Sequence, residues 1–189
     1  MEESRSLRAL RDRPYELLRE LDRRARAASQ GQSDAAPNGP EWVGIAFRLG
    51  GEAFLLAREE TREVMGYPAA VTRVPGARNW IRGLANLRGQ LLPVIDVRSF
   101  LGSGSTTVTR ATRVLVANHR EIPAGLVVDE VMGFRRFYEG EFSPDLPPTL
   151  LRCERYLAGA FKRGAEVWPV FSVRGLLESP AFMPLNSSV

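Results

Sequence analysis

One stretch, Trp80-Ile81-Arg82-Gly83-Leu84-Ala85-Asn86-Leu87-Arg88-Gly89-Gln90-Leu91-Leu92-Pro93-Val94-Ile95-Asp96-Val97-Arg98, does most to limit what this chain can fold into. Two apolar runs of β type, Gly83 to Leu87 and Leu91 to Val97, flank Arg88-Gly89. Glycine allows so short a connection to take positive φ, and the pattern predicts a tight hairpin. The second arm is almost unbroken in apolar character, which suits a strand buried on both faces or lying at the seam between two sheets. Pro93 cannot donate to a ladder, so its nitrogen must face a bulge, an edge or a gap between sheets. Arg88 then stands at a turn on a rigid scaffold, either as an ordinary solvated residue or as a cationic fork offered to a partner. Asp96, near the end of the apolar arm, is costly to bury alone and calls for arginine or backbone donors.

The rest of the chain divides around this hairpin. Tyr15, Leu18, Leu21 and Ala25 recur at helical spacing, Pro14 suits a first turn, and Glu20–Arg24 and Asp22–Arg26 are acid-before-base pairs. The spacing predicts an amphipathic helix over 1–28, which either packs on the domain or docks on a partner. Residues 29–40 carry Gly31, Pro37, Gly39 and Pro40 and read as a flexible linker. From Glu41 the period becomes two: Val43, Ile45, Phe47 and Leu49 alternate, Gly50-Gly51 turns the chain, and Glu52 to Ala57 returns. A strand over Val71–Val74 and a turn of helix over Ala77–Trp80 lead into the central hairpin. The stretch from Gly102 to Arg110 is a loop between two halves. The second half reads as strands over Arg113–Asn118 and Ile122–Val131, a Pro-rich turn at 144–148, strands at Leu157–Phe161 and Val167–Phe171, and a closing helix from Val173 to Glu178. Asp129 and Glu130 are adjacent on the second of these, so their carboxylates point apart and do not make an acid/base pair. About seven short strands in two halves argue for two small barrels or a folded-over sandwich over 41–178, with 179–189 as a tail.

Several chemistries lack their residues. His119 and Cys153 are each the only one of their kind, so no zinc set of about three or four ligands and no His-activated nucleophile can be assembled. Phosphate and dinucleotide fingerprints are absent, the Gly102-Ser103-Gly104 triplet lacking the further residues such loops need. The reading is a non-enzyme without metal or cofactor. All but one of the 26 basic residues are arginine, spread among 22 acids with no long run of one sign, so neither a nucleic-acid stripe nor a polybasic membrane segment stands out. No apolar run approaches the ~20 residues of a membrane span, and a lone cysteine fits a reducing compartment, so a cytoplasmic protein is expected. Cys153 reads as a small buried hydrophobe.

The run from Ile81 to Arg98 resembles the signature of the CheW-like domain, the adaptor that couples chemoreceptors to a histidine kinase. Gly83, Asn86, Leu87, Arg88, Gly89, Pro93 and Asp96 fall at that family's spacing, and Gly125-Leu126-Val127-Val128-Asp129-Glu130-Val131 resembles its second diagnostic stretch. Arg58 to Gly66 resembles the family's short element before the 71–74 strand, and Trp168-Pro169 departs from its usual aliphatics. The resemblance covers roughly 41–178 and implies two SH3-like five-stranded barrels sharing a core, in a mostly β fold with short helices and an N-terminal helical extension. It implies that Arg88, Glu63 and Thr61 face a chemoreceptor's cytoplasmic tip. Val64, Gly83 and Leu84 would meet the regulatory domain of a CheA-like kinase, and Asn86, Gly89, Pro93, Asp96 and Asp129 would shape the fold. The N-terminal helix makes the chain look most like adaptors of chemosensory systems that drive type IV pili and twitching, with flagellar chemotaxis as the alternative. The adaptor would be a cytoplasmic monomer by itself, recruited to membrane-associated receptor–kinase arrays without inserting. Two rivals remain: a basic β-barrel binding single-stranded nucleic acid, which needs aromatics exposed beside arginines, and an enzyme built on Asp96, Asp129 or Glu130, which needs a pocket of perturbed carboxylates.

Overall fold

The structure, a computed structural model, describes residues 39–182. The helix expected over 1–28, nearly all of the 29–40 linker and most of the tail lie outside the described residues. The strands are β1 (Glu41–Leu49), β2 (Glu52–Ala57), β3 (Thr61–Gly66), β4 (Ile81–Leu87), β5 (Gln90–Asp96), β6 (Arg113–Ala117), β7 (Gly125–Val128), β8 (Glu130–Tyr138), β9 (Phe142–Ser143), β10 (Leu157–Arg163) and β11 (Glu166–Phe171). Two short helices follow β5 and β11, α1 (Val97–Phe100) and α2 (Val173–Leu177). The expected count of about seven strands is corrected to eleven among the described residues.

These strands form two sheets, one ordered β8-β1-β2-β11-β10-β9 and the other β3-β6-β7-β5-β4. One therefore has the expected five strands and the other six. The unbroken apolar runs have a simple cause: the central strands are buried on both faces. On β1, Ile45, Phe47 and Leu49 enter a core shared by both sheets, while Ala46 packs with Leu55, Phe137, Phe161 and Val170 inside the six-stranded sheet. On β5, Ile95 enters the shared core and Val94 turns to Ala85, Val114 and Val127 inside the five-stranded sheet. Successive side chains of a strand point to opposite faces, so a strand between two cores must be apolar at consecutive positions.

Side chains also join strands from opposite ends of each sheet. Phe137 of β8 stacks on Phe161 of β10 with ring centroids 4.7 Å apart, and the Arg163 guanidinium donates to the Arg136 carbonyl at 2.9 Å while gripping Glu141 at 2.6 and 2.8 Å. That grip holds the Glu141 carboxyl below the usual glutamate range. Across the other sheet, Glu63 of β3 reaches Arg88 in the β4–β5 turn at 2.9 Å.

Other expectations need correction. The segment Arg58 to Gly66 is a 3-10 turn, Arg58–Glu60, followed by β3, whose Met65 faces the core while Val64 faces out. The strand expected over 71–74 shrinks to one bridge, Thr72 to Leu84, and Ala77–Trp80 is turn rather than helix. The run from Ile122 to Val131 is not one strand: β7 belongs to the five-stranded sheet and β8 to the other. Asp129 sits at the break, where its carboxylate accepts the Gly50 amide at 2.6 Å and its own N–H donates to the Arg48 carbonyl at 3.0 Å. Cys153 is buried, and that burial pushes its thiol up. It should therefore stay unmodified by Ellman's reagent in the native protein and react fully only in denaturant, which a side-by-side titration would check.

Candidate docking surface at the Arg88 hairpin

Leu87 pairs with Gln90, leaving Arg88 and Gly89 as a two-residue turn with φ of 51° and 84°. Positive φ at both positions matches the twist of the flanking strands, although it costs an arginine about 1–2 kcal/mol. Asn86 offsets part of this by accepting the Gly89 amide on its side-chain oxygen at 2.8 Å. Deeper in the hairpin, Leu84 exchanges both backbone bonds with Thr72 at 2.8 Å, so its pairing with Pro93 carries none. The ring nitrogen of Pro93 therefore turns away from β4 to a place where β7 has not begun, since Gly125 lies opposite Val94. Proline is tolerated inside this strand for that reason.

The base of the hairpin is fastened by Asp96, whose side chain is 1% exposed. It accepts from Arg82 Nε at 3.0 Å and Nη2 at 2.6 Å, from the Thr106 amide and hydroxyl at 2.9 Å each, and from the Ser99 amide at 3.3 Å as the N-cap of α1. Arginine and backbone donors thus surround it, as burial of a carboxylate requires. The 102–110 loop, read from sequence as a mere separator, is stapled through Thr106 to the first half. Trp80 is buried against Phe100 and Phe182, each with ring centroids 5.2 Å away.

At the other end, Arg88 is 72% exposed on its side chain and Glu63 is 23% exposed. A pair this wet adds little stability, so its effect is to aim the guanidinium while leaving most of its fork free. A groove of about 630 Å³ also includes Glu63 and is lined by Ile45, Arg58, Thr61, Val64, Val131 and Phe134. Phe134 is 62% and Val64 39% exposed at its surface. The Thr61 hydroxyl is buried there with no hydrogen-bond partner among the described residues. A groove that exposes Val64 and Phe134 among charged residues is suited to a protein segment rather than to turnover.

The structure thus brings Thr61, Glu63 and Val64 to one groove, with Arg88 at Glu63. Gly83 and Leu84 lie instead on β4, the other edge strand of the sheet. Gly83 is buried with φ of 142°, and an added Cβ would fall 2.2 Å from the Thr72 carbonyl oxygen. It can touch a partner only through the segment it carries. Phe134, Ile45 and Arg58 were missed from sequence. The available signal was Gly133-Phe134-Arg135-Arg136, an aromatic set in an otherwise polar strand face. That single aromatic is no stacking track, since Arg136 is already paired with Glu41 and Arg48 with Glu130. Among the described residues no three His, Cys, Asp or Glu side chains gather as a metal site, and no helix is long and apolar enough to cross a membrane.

The CheW-like domain family matches residues 43–181, which contain the hairpin, the groove and all but the first two residues of the two sheets. The chain belongs to the CheW-like family. It is 37% identical over 170 residues to Protein PilI of Pseudomonas aeruginosa, covering 90% of this chain and 94% of that protein. It is 28% identical over 161 residues to the chemotaxis protein CheW of Helicobacter pylori (85% and 96%), and 33% identical over 116 residues to FrzA of Myxococcus xanthus (61% and 70%). Among solved structures it superposes on the scaffolding protein TtCheW of Thermoanaerobacter tengcongensis with a TM-score of 0.65 and 25% identity, covering 75% of this chain and 96% of that one. CheW-like proteins are scaffolds in chemotaxis-type signalling, so this chain is an adaptor and not an enzyme.

Proposed function

We propose that this adaptor couples a chemoreceptor to a CheA-type histidine kinase, in a chemosensory system that controls type IV pili and twitching. The observation that carries the receptor side is the Arg88–Glu63 pair set beside a groove in which Val64 and Phe134 are exposed among charged residues. A receptor tip is helical, and an amphipathic helix seats its apolar ridge in such a groove while its charged flank meets the rim. Val64, placed with the kinase contacts on sequence grounds, lines this groove and joins the receptor side. The kinase's regulatory domain would meet the β4 edge at Leu84 and the Val71–Val74 segment seated over Gly83. The likeness to PilI over nine-tenths of the chain favours pili over flagella. By itself the chain is a cytoplasmic monomer in this reading, and membrane recruitment comes from the receptor.

Holding two partners in one geometry is enough to alter kinase output without chemistry by the adaptor. The test is a titration of the full chain against a receptor cytoplasmic fragment and against the kinase regulatory domain. Arg88→Glu should lose at least tenfold in receptor affinity, about 1.4 kcal/mol or more, because the new carboxylate faces Glu63 and removes the free fork. Phe134→Ala should weaken the same partner, and neither variant should alter kinase binding. Equal receptor affinity for wild type and both variants would remove the groove from this role, and wild-type binding to neither partner would overturn the coupling itself.

A further inference from the structure

A second cavity lies at the end of the six-stranded sheet and shares no lining residue with the groove. Its volume is about 460 Å³, its walls are Trp42, Phe142, Phe161 and Val170, and Glu41, Glu60 and Glu139 contribute carboxylates. We propose that it is a cage for a cationic side chain, an arginine or lysine presented by a protein partner.

The rings are seated by the backbone. At Gly44 an added Cβ would lie 2.2 Å from the Trp42 ring, and at Gly159, with φ of 144°, it would lie 2.4 Å from the Phe142 ring. Two glycines therefore clear room for two aromatic walls. Phe161 fixes both, with centroids 4.6 Å from Trp42 and 5.3 Å, edge-on, from Phe142. Rings held in this way need little further ordering when a guest binds.

The charge of the lining decides the ligand. The chain has 26 basic residues and a formal charge of +4, yet among the described residues no Arg, Lys or His lines this cavity. The three carboxylates differ in their engagements. Glu60 accepts the Ser172 hydroxyl at 3.3 Å and the Val173 amide at 2.7 Å, which fixes it without neutralising it. Glu41 meets Arg136 at 3.4 Å on the surface. Glu139 has no cationic partner among the described residues. An anionic or purely aliphatic guest would leave these charges uncompensated, whereas a guanidinium or ammonium meets aromatic faces and carboxylates together. The same sheet already makes this contact internally, with the Arg163 guanidinium 4.5 Å from the Phe137 ring centroid. The volume also admits the aliphatic stem, so a side chain fits it better than a small free cation.

The experiment is nitrogen-15 NMR on the full chain, titrated with Nα-acetylarginine methylamide, with its neutral citrulline counterpart and with tetramethylammonium. The arginine probe should give saturating shifts at the Trp42 indole N–H and at the Ala158 and Ser172 amides, and bind roughly tenfold more tightly than citrulline, as expected for a caged charge. Glu139→Gln, an exposed substitution that leaves the fold alone, should weaken the arginine probe several-fold. Citrulline binding as tightly as arginine, absence of shifts at those three residues, or an unchanged affinity in Glu139→Gln would overturn the proposal. Tetramethylammonium binding more tightly than arginine would also overturn it, by reassigning the cage to a free cation.

Discussion

Asp96→Ala is expected to lower the stability of the folded protein by about 3–5 kcal/mol, the cost of removing one partner from a buried ion pair. The substitution strands the Arg82 guanidinium, both donors of Thr106 and the Ser99 amide of α1 at once. Buried donors without acceptors carry the full desolvation penalty, so the loss exceeds that of any single hydrogen bond. Small domains show urea slopes of about 1–3 kcal/mol per molar, so the unfolding midpoint should fall by at least about 1 M. Asp96→Asn keeps an acceptor for the helix cap and should fall between wild type and alanine. An alanine variant within about 1 kcal/mol of wild type would falsify the view that this carboxylate fastens the 102–110 loop and hairpin to the core.

Gly83→Ala should act as strongly through a different route. The backbone at φ of 142° is open to glycine alone, and the new methyl would overlap the Thr72 carbonyl, which is backbone and cannot rotate aside. Strain of about 1–3 kcal/mol adds to the loss of the two Thr72–Leu84 hydrogen bonds, each worth about 0.5–1.5 kcal/mol. Hydrogen exchange separates the local from the global part: the Thr72 and Leu84 amides should exchange at least a hundredfold faster, well beyond the change at Val94 or Val127. Uniform acceleration across both sheets, or none, would contradict the assignment. In the proposed assembly the same variant should weaken the kinase contact while sparing the receptor contact.

The parts of the fold that sequence could reveal were those written in local pattern. The Arg88-Gly89 turn, the β1–β2 hairpin and the expectation of buried donors for Asp96 all rest on residues close in sequence or on a cost that any buried carboxylate incurs. The five-stranded barrels with a shared core came from family resemblance, and the two sheets correct that only by the addition of a sixth strand. What stayed illegible depended on distant partners. Arg58 to Gly66 alternates charged and apolar residues too weakly to be told from a short helix until β6 pairs with it. Asp129 was placed among the fold-shaping residues by resemblance alone, because its acceptor role is set by Gly50, far earlier in the chain. Phe134 stood out only as an aromatic among polar neighbours, since the groove it lines is made by the apposition of β8 with β3 and the 3-10 turn.

The order of the six-stranded sheet has a consequence for how the protein is made. Its first two strands precede the whole five-stranded sheet in the chain, and their neighbours β8 and β11 follow it. A ribosome therefore releases the β1–β2 hairpin with both edges bare, to wait while five more strands are synthesised. Those bare edges, carrying Ile45, Phe47, Phe54 and Leu56, are the segment that nascent-chain chaperones must shield. A message cut short before β8 would encode a complete set of strands for one sheet and an aggregation-prone remnant of the other.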